Sequence, residues 1–456
     1  VHPSMNSNRR VVTFTVTSFI LYAAFSLAAS VYHFKWPVFN RINLIADVFA
    51  KDSTQLAITD SAAVIDEPAV VIEKKTAKDF TVYHLPHFIN SFNTDTSTSS
   101  LTRFMQKLED LKKGKKRKVR IGYFGDSMIE SDLLTQTFRK LLQQEFSGSG
   151  VGFLPISSPT AKLRITATDN YSAGWQEENF KTSSRNNRLF LSGYLFKGNN
   201  DWVEMRDRCI RDSSASIEKY LLHGYTDVPI TVNVNGKNIP VPAKVNFGKL
   251  LLEENKNPYL KLTVTDNRLP VYGISFETGS GIIVDNFSFR GISGVEFGTI
   301  DTSFLSSVAK ENNYDLIILQ YGVNVLFKPN DRNFNWYARM LMPVVKKLKT
   351  CFNQTDFLIV STADRAFRYD GAYQSAVGID SLIKVQATIA YETGSAFYNQ
   401  YQTMGGHNSI VRWAEKQPSL ANKDYVHPNW RGADTLAHYF FNALMRDYNK
   451  YALTSK

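Results

Sequence analysis

A serine placed at the end of an apolar strand, with its chemical partners near the far end of the chain, constrains this sequence most. Gly125-Asp126-Ser127 follows Val119 to Phe124, V-R-I-G-Y-F, whose β-branched and aromatic residues predict a strand. Ser131 to Phe146 then carries Leu133, Leu134, Phe138, Leu141, Leu142 and Phe146 at helical spacing. Ser127 is therefore expected at a strand-to-helix junction, where free backbone N–H groups and the helix dipole favour negative charge. Asp424-Tyr425-Val426-His427 supplies what a serine lacks. A free hydroxyl is a poor nucleophile. An imidazole can take its proton near neutral pH, and a carboxylate can fix the imidazole tautomer and stabilise its cation. Asp and His three residues apart can share one turn and face a serine delivered by another strand.

Two further stretches lie between them. Arg290-Gly291-Ile292-Ser293-Gly294 is, alone, a turn with a glycine. Tyr321-Gly322-Val323-Asn324 follows the strand-like Asp315 to Gln320, and its asparagine alone is an ordinary Asx-turn residue. In this order the four stretches resemble the four sequence blocks of the SGNH (GDSL-like) hydrolases. The resemblance implies Ser127 as nucleophile, His427 as base and Asp424 as its orienting acid. It implies an oxyanion hole made by the N–H groups of Ser127 and Gly294 and the side-chain amide of Asn324. Preplaced donors of this kind are each worth roughly 100- to 1000-fold in rate. Met128 stands where leucine is more familiar in the first block, a change that does not touch the chemistry. No cofactor and no metal are expected. His84 and His87 form a lone His-x-x-His, a linker feature rather than a zinc pattern.

At 456 residues the chain is too long for one typical domain, and 43% hydrophobic residues make it globular. A net charge of +11 suits an anionic polymer or a membrane surface. Much of the excess sits in Lys112-Lys113-Gly114-Lys115-Lys116-Arg117-Lys118, which reads equally as a solvated loop or a binding patch. No aromatic residues interleave it, so nucleic acid is not an expected partner. Cys209 and Cys351 fall in different expected domains and should be free thiols.

Arg9 and Arg10 precede Val11 to Phe34, which lacks charged residues and is long enough to span a bilayer. Residues 1–35 are therefore expected to be a signal anchor, or a signal peptide cleaved after Ala28-Ala29-Ser30. The basic residues place the body outside the cytoplasm, in the periplasm or cell envelope, with the cytoplasmic membrane a partner if the segment is uncleaved. Residues 36–114 read as a linker and approach segment, with a short amphipathic helix from Thr102 to Leu111.

The first and second blocks are far apart, and the sequence between them is strand-like. Pro229 to Val234, Asn235-Gly236 and then Ile239 and Val241 spell a hairpin. Leu260 to Val264, Tyr272 to Phe276 and Ile282 to Phe289 alternate similarly. An all-β sandwich is thus expected over 156–284, inserted between core segments 115–155 and 285–456. Phe357 to Val360 and Ser395 to Tyr398 read as core strands, Ile383 to Tyr391 and Arg431 to Tyr448 as helices. In the last of these Leu436, Tyr439, Phe440 and Leu444 should face inward and His438 outward. Strands alternating with helices imply an α/β, three-layer, flavodoxin-like parallel sheet with the site at the carboxyl ends of its strands.

That layout is similar to SGNH peptidoglycan O-acetylesterases carrying an inserted, carbohydrate-binding-module-like β-domain. Ser149-Gly150-Val151-Gly152-Phe153 and Met404-Gly405-Gly406 with Trp413 fit that group. Asn429-Trp430-Arg431-Gly432 departs from the Gly-Tyr expected after the histidine. The resemblance implies an O-acetylated glycan substrate, with peptidoglycan foremost. Trp175, Trp202 and Tyr225 of the insert are candidate sugar-stacking residues. An O-acetyltransferase using the same serine and a non-catalytic glycan-binding protein are the alternatives.

Overall fold

Eight residues from Lys118 to Gly125 pair along their whole length on one side with Gly281–Ser288, and on the other with Leu316–Gln320. The computed structural model describes residues 13–18, 20–21, 80–92, 99–183, 185–209, 215–244 and 246–454. The chain divides into two units, 1–73 and 74–456. In the first, the described residues are helical. The rest of Val11 to Phe34, with the cleavage site at Ala28-Ala29-Ser30, lies outside the described residues. Among those described, no helix is long and apolar enough to cross a membrane.

The central sheet of the second unit has six strands: β1 (Ile89–Asn90), β2 (Lys118–Gly125), β3 (Gly281–Ser288), β4 (Leu316–Gln320), β5 (Asp356–Val360) and β6 (Ala396–Tyr398). Their spatial order is β1-β6-β5-β4-β2-β3, parallel throughout except for β1, which runs antiparallel to β6 at the edge. Strands covered on both faces need apolar side chains on both, which is why β4 reads L-I-I-L-Q and β5 D-F-L-I-V. From β2 onward the sheet has the flavodoxin-like order, whose direction of growth reverses between β2 and β4.

Helices cover both faces. Val119, Ile121 and Tyr123 of β2 face an apolar cluster that includes helices α1 (Thr102–Lys112), α2 (Thr135–Phe146) and, closing the chain, Trp430–Thr454. Phe138 of α2 stacks on Phe440 of that closing helix with ring centroids 4.9 Å apart, and Leu436 and Leu444 are buried beside it. Removing such a buried ring would cost about 3–5 kcal/mol. Tyr439 is only half-buried and packs edge-on against His87, while His438 is exposed. Phe124, one residue out of phase, joins the opposite cluster under helices Thr302–Glu311, Asn335–Cys351 and Ile379–Thr393.

Three expectations shift. The end of the segment read as linker belongs to the core: Phe80–His84 forms a 3-10 turn, β1 extends the sheet and α1 packs on it. The helix expected from Ser131 begins only at Thr135, because Ser131 and Asp132 take left-handed φ angles of 59° and 66°. Asp132 is drawn inward by a buried ion pair with Arg139. Gly281–Ser288, read as a strand of the insert, is core strand β3, whereas Gly152–Pro155 joins the insert's sheet by pairing with Val271–Thr278. The insert therefore starts a few residues before 156 and ends before 281.

The insert is built from two antiparallel sheets whose buried faces share one apolar cluster. Its hairpin, Ile230–Val234 with Lys237–Val241, turns at Asn235 and Gly236, both at positive φ. That is the type I′ geometry for which Asn-Gly is favoured. The insert meets the core through buried charges. Arg120 of β2 bonds Asp285 of β3 (2.6 Å) and pairs with Glu277 on the Val271–Thr278 strand. Lys249 (2.8 Å) and Lys118 (3.0 Å) also reach Glu277. Burial opposes the Glu277 charge, but these cations hold its carboxyl well below the usual range.

Most of the basic run is engaged in ion pairs. Lys112 meets Glu145, Lys113 meets Glu109, Lys116 meets Asp315, and Lys118 meets Glu218 and Glu277. Four of the six cations of the run are thus paired in place, which favours a solvated surface over a collected cationic patch. Both cysteines are free. Among the described residues no cluster of three His, Cys, Asp or Glu could hold a metal.

Candidate active site

Ser127 leaves the carboxyl end of β2, Asn324 follows the end of β4, and Gly294 follows β3. All three therefore emerge where the strand order reverses, the place at which open parallel sheets leave a crevice. The C-terminal loop closes over it. Ser127 Oγ lies 2.8 Å from His427 Nε2, and His427 Nδ1 lies 2.7 Å from Asp424 Oδ2. Asp424 Oδ1 also accepts the backbone N–H groups of Val426 (3.0 Å) and His427 (3.1 Å). Burial raises the Asp424 carboxyl, but the bonds from His427 and the two N–H groups outweigh it and hold the pKa below the usual value. The sequence prediction that one turn would present both residues is met by an Asx-type turn.

Tyr425 sits inside that turn at φ 55°, a conformation a tyrosine adopts only against strain. Its carbonyl accepts Ala366 N–H (2.9 Å), and its ring stacks on Tyr373, with centroids 4.0 Å apart and planes at 26°. Ala366 and Tyr373 lie on a two-stranded hairpin, Ala366–Tyr369 with Ala372–Ser375. Arg365, just before it, donates to Val323 O (2.6 Å), next to Asn324. The hairpin thus braces two of the site's loops. Sequence reasoning missed it: its strands are short, and Tyr373 carried no motif.

Gly294 is at φ 89°, and a Cβ there would stand 2.8 Å from Tyr321 Cδ2. Only glycine fits both constraints. Neither Ser127 N–H nor Gly294 N–H has an acceptor among the described residues. Since α2 starts well after Ser127, the anion-stabilising geometry here belongs to turn N–H groups rather than to a helix terminus. Asn324 differs from expectation. Its Nδ2 donates to Asp126 Oδ2 (2.9 Å) and to Ile292 O (3.0 Å), so both amide hydrogens are engaged in the free site. Asp126 is fully buried, and burial pushes its carboxyl up to about 7, although Met128 N–H and Asn324 donate to it. It anchors the loop after β4 to the loop after β2.

The insert's aromatics are divided. Trp175 donates its indole N–H to Trp202 O and packs on the core. Trp202 is half-buried with Lys261 Nζ 4.8 Å from its ring centre. Tyr225 is exposed and lines a cavity of about 310 Å³ with Asn186, Arg188 and Lys197. Trp430, three residues past His427, is 61% exposed and went unrecognised as a site residue in the sequence. Asn429 before it caps the closing helix, its Oδ1 accepting Arg431 N–H and Gly432 N–H.

The resemblance carried by the four blocks holds at the level of the fold. Among solved structures, a peptidoglycan O-acetylesterase matches 76% of this chain and 96% of its own, with a TM-score of 0.65 at 21% identity. A family two carbohydrate esterase from Cellvibrio japonicus matches 62% of this chain and 98% of its own at 9% identity, with a TM-score of 0.27. The acetyl xylan esterase AlAXEase matches 36% and 81% at 14% identity, with a TM-score of 0.26. No family model matches the chain, and no curated protein matches it.

Proposed function

We propose that this protein is a serine esterase that removes O-acetyl groups from glycans, with peptidoglycan as substrate. The bonded series Ser127–His427–Asp424, beside two N–H groups that lack acceptors, carries the proposal. His427 Nε2 takes the proton as Ser127 Oγ attacks the acetyl carbon. The carbonyl oxygen gains negative charge and is met by Ser127 N–H and Gly294 N–H. Asn324 joins them by turning one amide hydrogen from Ile292 O to the oxyanion. The C–O bond to the sugar then breaks, and His427 gives its proton to the departing sugar oxygen. Water, deprotonated by His427, attacks the acetyl-serine, and acetate leaves as the proton returns to Ser127.

The His427 and Asp424 side chains are 34% and 47% exposed, an access for water that supports hydrolysis over transfer to a second sugar. A non-catalytic role is disfavoured because each position of the set is filled and bonded. The likeness to a peptidoglycan O-acetylesterase supports the choice of glycan. The proposed location is the cell envelope, resting on the uncharged Val11 to Phe34 behind Arg9 and Arg10. Protease added to intact spheroplasts should cut the body, and protection until lysis would count against this placement. The test of function is acetate release from O-acetylated peptidoglycan, with and without an added sugar acceptor. Release by the wild type and none by Ser127→Ala is expected. Acetate appearing on the acceptor instead of in solution would make the protein a transferase.

A further inference from the structure

A polymer substrate needs more than a catalytic mouth, and one cleft of the second unit lies where the insert and the core meet beside the catalytic loop. It has a volume of about 420 Å³. One wall is core: Gln136, Thr137 and Lys140 on the outer face of α2, with Trp430 at the start of the closing helix. The other is insert: Ile165, together with Arg208 after the Asp201–Asp207 strand. Clefts of this size at domain junctions are preferred ligand sites.

Its chemistry is specific. Trp430 is 61% exposed and Ile165 70% exposed, so two large apolar side chains flank the cleft; the Arg431 guanidinium lies over the Trp430 ring, 4.6 Å from its centre, which leaves one face of the indole for a ligand. The cations at its rim differ in what they are bound to. Arg139 is neutralised by Asp132 and is not available. Arg208 and Lys140 are both exposed, and neither side chain has an ion pair or hydrogen bond among the described residues. Asp434 is the one acid of the lining, and its carboxylate already accepts the Thr137 hydroxyl at 2.7 Å. Elsewhere near the insert–core boundary the basic residues Lys118, Arg120 and Lys249 are all paired. Arg208 and Lys140 stand beside the exposed indole without such partners.

We infer that this cleft is a substrate subsite for an acidic glycan, with a sugar ring against Trp430 and a carboxylate of the strand held by Arg208 and Lys140. The inference rests on the glycan esterase reading and deepens it: it names the charge of the polymer. An indole face takes the C–H face of a sugar ring, and two free cations favour an anion over a neutral strand. Trp430 is three residues from His427, which ties this cleft to the loop that carries the catalytic base. The carboxylate could belong to a sugar acid or to a peptide attached to the glycan.

The test compares wild type with the double variant Arg208→Ser/Lys140→Ser and with Trp430→Ala and Trp430→Phe. Substrates are O-acetylated peptidoglycan, the same glycan stripped of peptide by an amidase, neutral acetylated xylan and an aryl acetate. The double variant should raise KM for intact peptidoglycan about tenfold or more and flatten its salt dependence. Its kcat and its rate on xylan and the aryl acetate should be unchanged. If peptide supplies the carboxylate, stripping the glycan should reproduce the loss in wild type; if a sugar acid does, it should not. Trp430→Ala should raise KM on both polymers, and Trp430→Phe should recover most of it. Wild-type KM of the double variant on peptidoglycan, or an equal loss on the aryl acetate, overturns the inference. A parallel measurement needs no turnover: binding of unacetylated peptidoglycan fragments to Ser127→Ala, with and without the two substitutions. If wild type released acetate from no glycan, the esterase reading would fall. The binding comparison would still decide the subsite, equal binding by both proteins refuting it.

Discussion

Replacing Asp424 by asparagine should damage catalysis more than replacing it by alanine. In the wild type Asp424 Oδ1 takes two backbone N–H groups, and Oδ2 takes His427 Nδ1–H. An asparagine must keep its oxygen on the two N–H groups, because the reverse orientation sets an NH₂ against both. Its Nδ2 then faces His427 Nδ1. The imidazole is satisfied by moving its proton to Nε2, which turns an N–H toward Ser127 Oγ and removes the base. Restoring the productive tautomer breaks one neutral hydrogen bond, about 1 kcal/mol, and opposes two N–H groups, about 1–3 kcal/mol. The sum of about 2–4 kcal/mol corresponds to roughly 30- to 1000-fold in rate. The half-exposed Asp424 allows water to relieve part of the clash, so about 100-fold is expected. Alanine leaves water to accept the Nδ1 proton and should cost about tenfold, the charge being screened. Steady-state kcat on an aryl acetate measures both, and the nitrogen chemical shifts of His427 report the tautomer directly. An asparagine variant as active as the alanine variant would refute the orienting role of Asp424.

Gly294→Ala should lower kcat about 100-fold while KM changes little. Its Cβ meets the Tyr321 ring at 2.8 Å and its φ of 89° is strained for alanine, so the N–H must move; unchanged kcat would remove Gly294 from the oxyanion hole. Tyr373→Ala should lower kcat up to about tenfold by freeing the Tyr425 turn, and Tyr373→Phe should restore it, since the stack is worth about 0.5–1.5 kcal/mol. A change confined to KM would instead make Tyr373 a substrate contact. In the insert, His223 is buried, its Nδ1 donates to Gly224 O, and burial depresses its pKa to about 4. The unfolded chain therefore binds the extra proton between about pH 6.5 and 4, and stability should be full above that window and fall by on the order of 3 kcal/mol as pH drops through it. Denaturant midpoints measured across the window should show this slope, and His223→Gln should lack it; equal slopes would mean that His223 is not its source.

The catalytic set was legible because each member sits next to a strong local signal. β2 and β4 are apolar runs of strand length, and Asp424 and His427 are close enough in sequence to share a turn. What was not legible depends on partners distant in sequence. The delayed start of α2 follows from Asp132 turning inward to Arg139 and Thr166, a contact with no local mark. Gly281–Ser288 alternates like its predecessors, and nothing in its residues states that its neighbour is β2 rather than a strand of the insert. Asn324 looked like a free donor because its motif does not disclose Asp126 and the Ile292 carbonyl as acceptors. Trp430 stood out only as a departure from a pattern.

The buried junction of Arg120, Glu277 and Asp285 bears on how this chain could have been assembled. A β-domain tethered by two flexible crossings could be cut out, exchanged or grafted elsewhere at little cost. This one cannot. Excision would remove Glu277 and Lys249 and leave Arg120 with half its counter-charge, and removing one partner of such a buried pair costs about 3–5 kcal/mol. The carboxylate of Asp285 also accepts Phe153 N–H, at the residue where the chain crosses into the insert. The two parts should therefore melt in a single transition and pass through evolution as one inherited piece, the inserted half unable to be swapped without refitting the half that holds the serine.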